Sequence, residues 1–441
     1  MNKYIPHTAQ DLEAMLAACG VTSVEELFSD IPEAVRFRQD YNLPDSFSEL
    51  EVVDHIERLA NQNQPQMIPF VGAGAYDHYV PSIIKPITTR SEFATSYTPY
   101  QPEVSQGTLT YIFEFQTMMS RLLDLPVANA SMYDAFTAAA EAAMMMNAVT
   151  KRSVIYVAPT VNPSYKRVIE TYARFRGFTV QYLPEKDGRV DQAEAATYLD
   201  DQVSGVIVQS PNYYGLIEDI TELTASVHGV GGLVTLAVNP LAFAVLKTPG
   251  EMGVDVVVGD AQPFGIGLNY GGPYIGFMVS TEKLVRKLPG RIVGETVDVD
   301  GKRAFVLTLR AREQDIRREK ATSNICSNQS LNVLAASVFL SVMGPQGLKD
   351  MATQNYQKAH YAYDQITSLP GFTKVYDDQF FNEFVVETTI PYEQISAACE
   401  ADLMIPGLYL GDNKILFCVT EKRSKEQIDH LVDLLGGLDH A

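Results

Sequence analysis

The stretch that decides the fold is Met252-Gly-Val-Asp-Val-Val-Val-Gly-Asp-Ala-Gln-Pro-Phe-Gly-Ile-Gly-Leu-Asn-Tyr-Gly-Gly-Pro273. Its first half is a short apolar run, which is typical of a strand buried on both faces of a sheet. A glycine-rich loop and a Gly-Gly-Pro turn follow, and both indicate irregular backbone. The loop, residues 259–272, contains no lysine. This absence bears on whether the chain can carry out chemistry alone.

Strands and helices alternate around this stretch. Short apolar strands separated by helices indicate a parallel sheet that is covered on both faces, so the sequence predicts an α/β fold. Ser131 is expected to cap an Ala- and Met-rich helix, and a small α+β domain is expected at the end of the chain. The predicted strands are 154–158, 179–183, 205–209, 233–238, 254–259, 274–279, 372–376, 381–388 and 414–419; the predicted helices are 112–123, 133–149, 164–176, 192–199, 220–229, 327–343, 345–368, 391–400 and 425–435.

The first part of the chain has a different character. Residues 1–65 predict short helices, with capping boxes that begin at Thr8, Ser23 and Ser48. Residues 66–110 are rich in Pro, Gly and Tyr and show little periodicity, and so long an irregular segment is usually functional or held against another surface. We therefore expect three parts: an N-terminal segment 1–110, a large α/β domain 111–325 and a small α+β domain 326–441.

Composition limits the class of protein. The net charge of −20 leaves no excess of Lys and Arg to neutralise phosphates, which argues against nucleic-acid binding. No run of about 20 apolar residues predicts a membrane span, and the first residues do not resemble a signal peptide. The one basic cluster, 303–320, also holds acidic residues and is interpreted as a solvated helix face. Four scattered cysteines predict reduced, buried thiols in a cytoplasmic protein, and no metal-ligand spacing occurs.

Four local motifs leave alternatives open. The helix start at 129–141 could receive a phosphate, but it has no glycine, and a capped structural helix is the other interpretation. The Gly-x-Gly at Gly72 lacks the strand and helix that a dinucleotide site needs. His78 has no neighbour at metal spacing, so a hydrogen-bonded role is the default. The stiff loop 97–107, with two tyrosines and two prolines, fits an interface and an active site equally well.

Enzymes of the aspartate aminotransferase fold that use pyridoxal phosphate (PLP) place a Schiff-base lysine in a loop like 259–272. They also place an Asp near the end of a strand like 233–238, where it pairs with the pyridine nitrogen and keeps the ring an electron sink. No acidic residue occurs between Leu233 and Leu246. The Schiff-base lysine and the Asp for the pyridine nitrogen are therefore both absent. Lys247, which lies nearby in the sequence, is interpreted as a surface lysine.

The chain resembles the glycine cleavage system P-protein (glycine dehydrogenase, decarboxylating) over nearly its full length, and most closely the first subunit of its two-subunit form. Taken together, the segments that carry this resemblance are specific. They are Gly72-Ala-Gly-Ala-Tyr-Asp-His-Tyr-Val-Pro81, residues 97–107, Ala128-Asn-Ala-Ser-Met-Tyr-Asp134, Pro249-Gly-Glu-Met-Gly-Val-Asp-Val256, Tyr270-Gly-Gly-Pro273 and Arg318-Glu-Lys-Ala-Thr-Ser-Asn-Ile-Cys326.

The resemblance implies a large domain of PLP fold type I with a smaller C-terminal α+β domain. The family's second subunit has His-Lys-Thr-Phe before a glycine run and Pro, and counting back eleven places from Pro273 reaches Gln262, with Phe264 matching the Phe. Gln262 would thus hold the degenerate Schiff-base position, and PLP would be anchored by the partner subunit. The implied reaction is decarboxylation of glycine, with transfer of the aminomethyl group to the lipoyl arm of H-protein and release of CO2. The implied assembly is a cytoplasmic heterotetramer with two copies of each subunit, active only when subunit 2 is present.

The family's active site lies near the subunit boundary, which suggests candidate residues in this chain. Tyr97, Tyr100 and His78 are the catalytic candidates, although none is assigned as acid or base. Cofactor-binding candidates are Ser105 and Gln106, followed by Thr322, Ser323 and Asn324. Arg291, Arg310 and Arg317 are possible contacts for H-protein.

Two other functions stay open at this point. One is a self-sufficient PLP-dependent decarboxylase or aminotransferase that uses Lys247. The other is a scaffold subunit that stabilises its partner and gives nothing to the active site.

Overall fold

The computed structural model describes Tyr4 and residues 6–438, and it divides the chain into two compact units, Met1–Pro65 and Gln66–Ala441. In the first unit the capping boxes at Thr8 and Ser48 are confirmed, but Ser23 makes no side-chain capping bond. None of the described residues of this unit is buried. Its elements are the helices Ala9–Ala18 and Glu49–Ala60 and the 3-10 helices Val24–Phe28 and Glu33–Val35.

A seven-stranded sheet organises the second unit. Five neighbouring strands are parallel, and Gly276–Ser280 runs antiparallel to Val256–Asp260, with Gly259 opposite Phe277. Every strand predicted for this region is present, with ends shifted by at most two residues. In sheet order the strands are Val127–Ala128, Gly276–Ser280, Val256–Asp260, Leu233–Val238, Val203–Gln209, Val154–Val157 and Thr179–Tyr182.

Helices cover this sheet because most of its strands are apolar on both faces; the edge strand Thr179–Tyr182 is the exception and is mostly exposed. Ala135–Thr150 has alanines that lie completely buried, and small side chains allow a helix to approach a sheet closely. Its cap is Asp134 and not Ser131 as predicted, since the chain is still extended at 134. The other helices of this domain are Gln106–Leu123, Pro163–Arg176, Gln192–Ala195 and Thr221–Gly229, with 3-10 helices at Ala196–Tyr198, Pro240–Ala244 and Glu282–Leu284.

The C-terminal part has its own hydrophobic core around a four-stranded antiparallel sheet. A helix assigned over Ser330–Ile366 leads into it and bends at Gly344, where φ is 60°, followed by Pro345, so the predicted division into two helices is confirmed. The strands in sheet order are Phe372–Lys374, Glu383–Thr388, Lys414–Cys418 and Leu408–Gly411, and the helices are Tyr392–Ala401 and Lys425–Gly436. The domain boundaries at 110/111 and 325/326 stay predictions.

Two further sequence interpretations need correction. The basic cluster 303–320 is not one helix face, because Arg303–Thr308 is a strand paired antiparallel with Ile292–Val297 and only 310–320 lies in short helices. Cys19 and Cys326 are exposed, and only Cys399 and Cys418 are buried, although none of the four is in a disulfide. The remaining elements are the short helices Ile84–Thr88, Ser91–Ala94 and Gln314–Arg317, the 3-10 helices Pro102–Val104, Arg310–Arg312 and Arg318–Lys320, and the strands Ile68–Pro69, Glu185–Lys186, Arg189–Val190 and Met404–Ile405.

The helix Ser330–Ile366 is long and apolar enough to cross a membrane by length and composition alone. Its buried side chains, among them Val333, Phe339 and Ile366, lie in the two hydrophobic cores of the second unit. This placement is typical of a core helix.

Candidate functional site

Gln262 lies in the turn after the strand Val256–Asp260 and is completely buried. Its Oε1 accepts a hydrogen bond from the Tyr76 backbone N–H at 3.0 Å. Its Nε2 donates to the carbonyl oxygens of Tyr76 and Ile266, both at 2.8 Å. Both ends of the amide are therefore engaged with backbone, and Gln262 ties the sheet to the segment that contains Tyr76.

Two carboxyl groups lie where the helix Ala135–Thr150 begins. Asp134 caps the helix, since its Oδ1 accepts a backbone N–H of the first turn at 2.8 Å. Asp260 accepts the backbone N–H groups of Gln262 and Ile275, while burial, with Asp134 adding repulsion, raises the pKa of Asp260 to about 6. A phosphate would meet negative charge at a helix end that is already capped, which favours the structural interpretation of this helix start.

Aromatic side chains pack near the same carboxyl groups. Tyr165 is buried, and its ring lies 4.9 Å from that of Phe136 in an edge-to-face arrangement. Burial, and then the charges of Asp260 and Asp134, raise the pKa of Tyr165. The phenol is therefore neutral and forms part of the packed interior.

The end of the strand Leu233–Val238 carries an amide. Asn239 accepts the Leu241 backbone N–H at 3.2 Å, and its Nδ2 is buried without a hydrogen-bond partner in the part of the chain that the structure describes. Lys247 lies on the surface, where its Nζ pairs with Asp219 at 2.9 Å, so its interpretation as a surface lysine is confirmed.

Residues 72–81 form a loop, called here the bridging loop, that contacts both sheets. The Ala73 backbone N–H and the Tyr76 hydroxyl donate to the two oxygens of Glu383 at 2.6 and 2.8 Å. Burial raises the pKa of Glu383 to about 7 even though both donors oppose it. Because Tyr76 also bonds Gln262, the bridging loop joins the large sheet to the C-terminal sheet.

His78 lies nearly completely buried within the bridging loop. Its Nδ1 is 2.8 Å from Glu421 Oε2, and although burial acts in the opposite direction, the pairing with His78 lowers the pKa of Glu421 to about 2. The His78 Nε2 is buried and has no partner among the described residues. Next to it, Asp77 pairs with Lys422 and Arg423, both at 2.6 Å. His78 therefore has a hydrogen-bonded structural position, and its catalytic role stays a prediction.

Tyr97 and Tyr100 lie on an exposed loop with different surroundings. Tyr97 is 80% exposed, whereas the Tyr100 hydroxyl accepts a hydrogen bond from Arg291 Nη2 at 3.1 Å. The guanidinium groups of Arg291 and Arg310 lie 5.4 and 5.6 Å from the centre of the Tyr100 ring. Arg291 is itself buried and also donates to the Cys326 carbonyl oxygen at 2.6 Å. The Tyr100 proton remains available to a further acceptor.

Ser105 and Gln106 lie at the start of the helix Gln106–Leu123. Ser105 precedes the first turn and makes no side-chain capping bond. The Gln106 amide is engaged at both ends: its Nε2 donates to the carbonyl oxygens of Pro102 and Phe305, and its Oε1 accepts the Phe305 N–H at 2.9 Å. A cofactor-binding role for Gln106 stays a prediction, and it would require these bonds to be exchanged.

Residues 322–324 follow the last short helix before Ser330–Ile366. Ser323 is buried, and its Oγ accepts the Ile325 backbone N–H at 3.1 Å, whereas Asn324 is exposed and Thr322 half-buried. Glu141, which the sequence analysis did not single out, contacts Ser323, and burial raises the pKa of Glu141 to about 7. The structure thus places 322–324 against the helix Ala135–Thr150.

The structure links some of the candidates and not others. Arg291 binds both Tyr100 and Cys326, which lies two residues after Asn324. Ser323 contacts Glu141, and Gln106 bonds Phe305. His78 and Gln262 belong to the bridging loop and its contacts. Sequence analysis weighed Arg291 only as a docking residue, because one arginine in a loop gives no signal of its burial. Sequence analysis missed Asp134 and Asp260. Asp134 stands at a helix start and Asp260 at a strand end, and both positions were a usable signal.

Comparison with known proteins gives a consistent result. A model of the family "Glycine cleavage system P-protein" matches residues 2–435. A protein named "Probable glycine dehydrogenase (decarboxylating) subunit 1" from Moorella thermoacetica is 48% identical over 441 residues, covering 99% of both chains. The protein of the same name from Desulfitobacterium hafniense is 47% identical, covering 98% of this chain and 99% of the relative.

Solved structures agree. A crystal structure of glycine decarboxylase (P-protein) of the glycine cleavage system, in inhibitor-bound form, matches 99% of both chains with 38% identity and a TM-score of 0.90. A glutamate decarboxylase from Lactobacillus brevis matches with a TM-score of 0.68 at 12% identity, which bears on the fold alone. The predicted fold class, PLP fold type I, is confirmed.

Proposed function

We propose, from the premise that this chain belongs to the glycine cleavage system P-protein family, that it is subunit 1 of a two-subunit glycine decarboxylase. In this proposal the chain is active only with subunit 2, which anchors PLP. The complex decarboxylates glycine, releases CO2 and transfers the aminomethyl group to the lipoyl arm of H-protein. We further propose a cytoplasmic heterotetramer with two copies of each subunit.

The environment of Gln262 carries this proposal. An amide cannot form an imine, and this amide is completely buried and bonded at both ends to backbone. Asp134 occupies the helix end that a phosphate would need, and Asn239 gives no charge to pair with a pyridine nitrogen. These residues do not fit a PLP group anchored by this chain, which supports anchoring by the partner.

The cluster around Tyr100 is the part of this chain best suited to a shared active site. PLP, when bound, draws electrons from the bond that breaks in decarboxylation. Tyr100 is available on a surface loop, and Arg291 and Arg310 hold positive charge beside its ring. A phenol that accepts from an arginine can donate its own proton to a carboxylate oxygen. We propose that Tyr100 orients the carboxylate of glycine, with Arg291 as a positioning residue.

The first experiment compares absorbance spectra with added PLP for the chain alone and for its mixture with subunit 2. The mixture is then assayed for glycine-dependent exchange of CO2 with lipoylated H-protein. We expect no borohydride-reducible absorbance band from the chain alone and exchange only from the mixture. A reducible band from the chain alone would contradict the proposal and would be traced with Lys247→Ala, although Lys247 is engaged with Asp219.

Tyr100→Phe separates a shared site from a scaffold role. The matched control is Tyr198→Phe, because both tyrosines are 42% exposed and the Tyr198 hydroxyl donates to Glu194 in its own turn. We expect Tyr100→Phe to lower the rate of CO2 exchange about tenfold or more, since a hydrogen bond to a charged group contributes about 1.5–3 kcal/mol. Assembly with subunit 2 should be unchanged. Equal rates for both variants would favour the scaffold function.

A further inference from the structure

A basic pocket of about 280 Å³ lies between two loops of the large domain. Its positive residues are Arg286 and Lys287 from one segment and Arg312, Arg317 and Lys320 from the other, and Thr322 also lines it. No acidic residue lines this pocket, although Asp and Glu outnumber Lys and Arg by 54 to 34 in the chain. The pocket is therefore strongly positive in a protein whose net charge is −20.

These five cations form no close ion pair in the part of the chain that the structure describes, although Arg312 interacts electrostatically with its neighbour Glu313. Among the described residues, no carboxylate oxygen lies within 4.0 Å of any of them, whereas nearby cations are paired: Arg303 with Glu295 at 2.8 Å and Lys283 with Asp255 at 2.9 Å. Like charges around one cavity repel each other. Such a cluster is stabilised when an anion enters it.

Two arginines are held in place by backbone. Arg312 Nη2 donates to the Gly290 carbonyl oxygen at 2.6 Å, and Arg317 Nε donates to the Ala311 carbonyl oxygen at 3.0 Å. These bonds fix the guanidinium groups and leave other N–H groups of each side chain unused. The Arg312 Nε is buried without a partner in the described part of the chain. Preorganised donors of this kind suit a multivalent oxyanion.

Two carboxyl groups near the pocket do not neutralise the cluster. Glu313 follows Arg312 and interacts with it electrostatically, but burial raises the pKa of Glu313. Glu141 lines a separate cavity of about 50 Å³ that shares Lys287 and Thr322 with the basic pocket. Burial raises the pKa of Glu141 to about 7, so this group is only partly charged near neutral pH.

We infer that the basic pocket binds a phosphate group, supplied by inorganic phosphate or by a phosphomonoester. The volume admits a phosphate with a small substituent, the five cations more than offset its double negative charge, and Thr322 can donate a hydrogen bond. This inference does not depend on the decarboxylase proposal.

The test is isothermal titration calorimetry of the full-length chain with inorganic phosphate at constant ionic strength. Arg286→Gln combined with Lys320→Gln should weaken the binding of phosphate at least tenfold. The matched control is Lys349→Gln, an exposed lysine on the helix Ser330–Ile366, which should leave it unchanged. Pyridoxine 5′-phosphate, which cannot form an imine with a lysine, is the second probe. Tighter binding of this probe identifies a phosphomonoester as the occupant, and equal binding identifies free phosphate.

Thermal melts separate lost binding from lost folding. Without phosphate, the double variant should melt no lower than the wild type, because two repelling charges are gone. With phosphate, the wild type should gain more in Tm than the double variant. Equal affinity of wild type and double variant, no binding by the wild type, or binding of an acidic peptide but not of phosphate would each overturn the inference.

Discussion

At the scale of single residues, Gln262 shows what a sequence can and cannot reveal. The missing lysine was evident from the residues alone. The three hydrogen bonds that bury the amide against Tyr76 and Ile266 were not, because these partners come from a distant segment and from the far side of a turn. The sequence therefore excludes an imine at position 262, but it does not show that the side chain there bonds to backbone groups of Tyr76 and Ile266.

Glu141 provides a prediction about pH. It is nearly completely buried, and its folded pKa of about 7 lies above the usual value of 4.5. The native state therefore holds its proton more tightly than the unfolded state, so this group lowers stability as pH rises from about 4.5 to about 7. Glu141→Gln removes that loss, and we expect it to raise the free energy of unfolding at pH 8 by up to about 3 kcal/mol.

Urea denaturation at pH 8 and at pH 4.5 checks this prediction. At pH 4.5, where Glu141 is mostly protonated in the native state, the wild type and Glu141→Gln should differ little in their free energy of unfolding. Glu114→Gln is the control, since Glu114 is exposed on the neighbouring helix Gln106–Leu123 and should change stability little at either pH. A destabilised Glu141→Gln at pH 8 would show that the carboxylate is needed in its charged form.

At the scale of elements, the bridging loop depends on ion pairs with the C-terminal domain. Asp77 binds both Lys422 and Arg423, and the Arg423 side chain is only 5% exposed. Asp77→Asn leaves that buried guanidinium without a carboxylate, and we expect a loss of about 3 kcal/mol in the free energy of unfolding. Lys422→Gln removes the exposed partner and should cost less than about 1 kcal/mol. Chemical denaturation measures both, and similar costs for the two variants would refute this account.

The same scale shows which elements a sequence predicts well. Most strands of the large sheet were predicted because they are apolar runs buried on both faces, whereas the two-residue edge strand Val127–Ala128 was too short to give a signal. The hairpin Ile292–Val297 with Arg303–Thr308 was missed, since its strands are half-exposed and carry the charged residues that resemble a solvated helix.

The cap of Ala135–Thr150 was misplaced because Ser131 and Asp134 are both good capping residues, and only the backbone path decides between them. The contacts of the candidate site depend on such paths, so Tyr100 could be proposed from sequence but its pairing with Arg291 could not.

At the scale of the whole molecule, the two compact units differ in what they bury. The hydrophobic cores lie entirely in residues 66–441, whereas the first unit leaves apolar side chains such as Phe37, Leu43 and Ile56 exposed. The helix Glu49–Ala60 has a capping box but none of its residues is buried. A unit of this composition is expected to gain its stability from a partner, and we propose subunit 2 as that partner.

Removal of residues 1–65 tests this proposal. We expect the shortened chain to fold, because the buried residues are retained, with a circular dichroism spectrum and a Tm close to those of the full chain. Its affinity for subunit 2, measured by calorimetry or gel filtration, should fall at least tenfold. Unchanged affinity would place the interface elsewhere, for example in the segment 66–110 predicted from the sequence.

The burial of Gln262 also has a consequence for any attempt to give this chain a Schiff-base lysine. Gln262→Lys would place an ammonium group in a position with no solvent exposure and would remove an acceptor from the Tyr76 N–H. A lysine at 262 would also need partners that this chain does not offer, since Asp134 already caps the helix end that a phosphate would use and Asn239 brings no charge for a pyridine nitrogen. We therefore expect one substitution at 262 to cost stability without creating a PLP site, because the surrounding residues would have to change together with it.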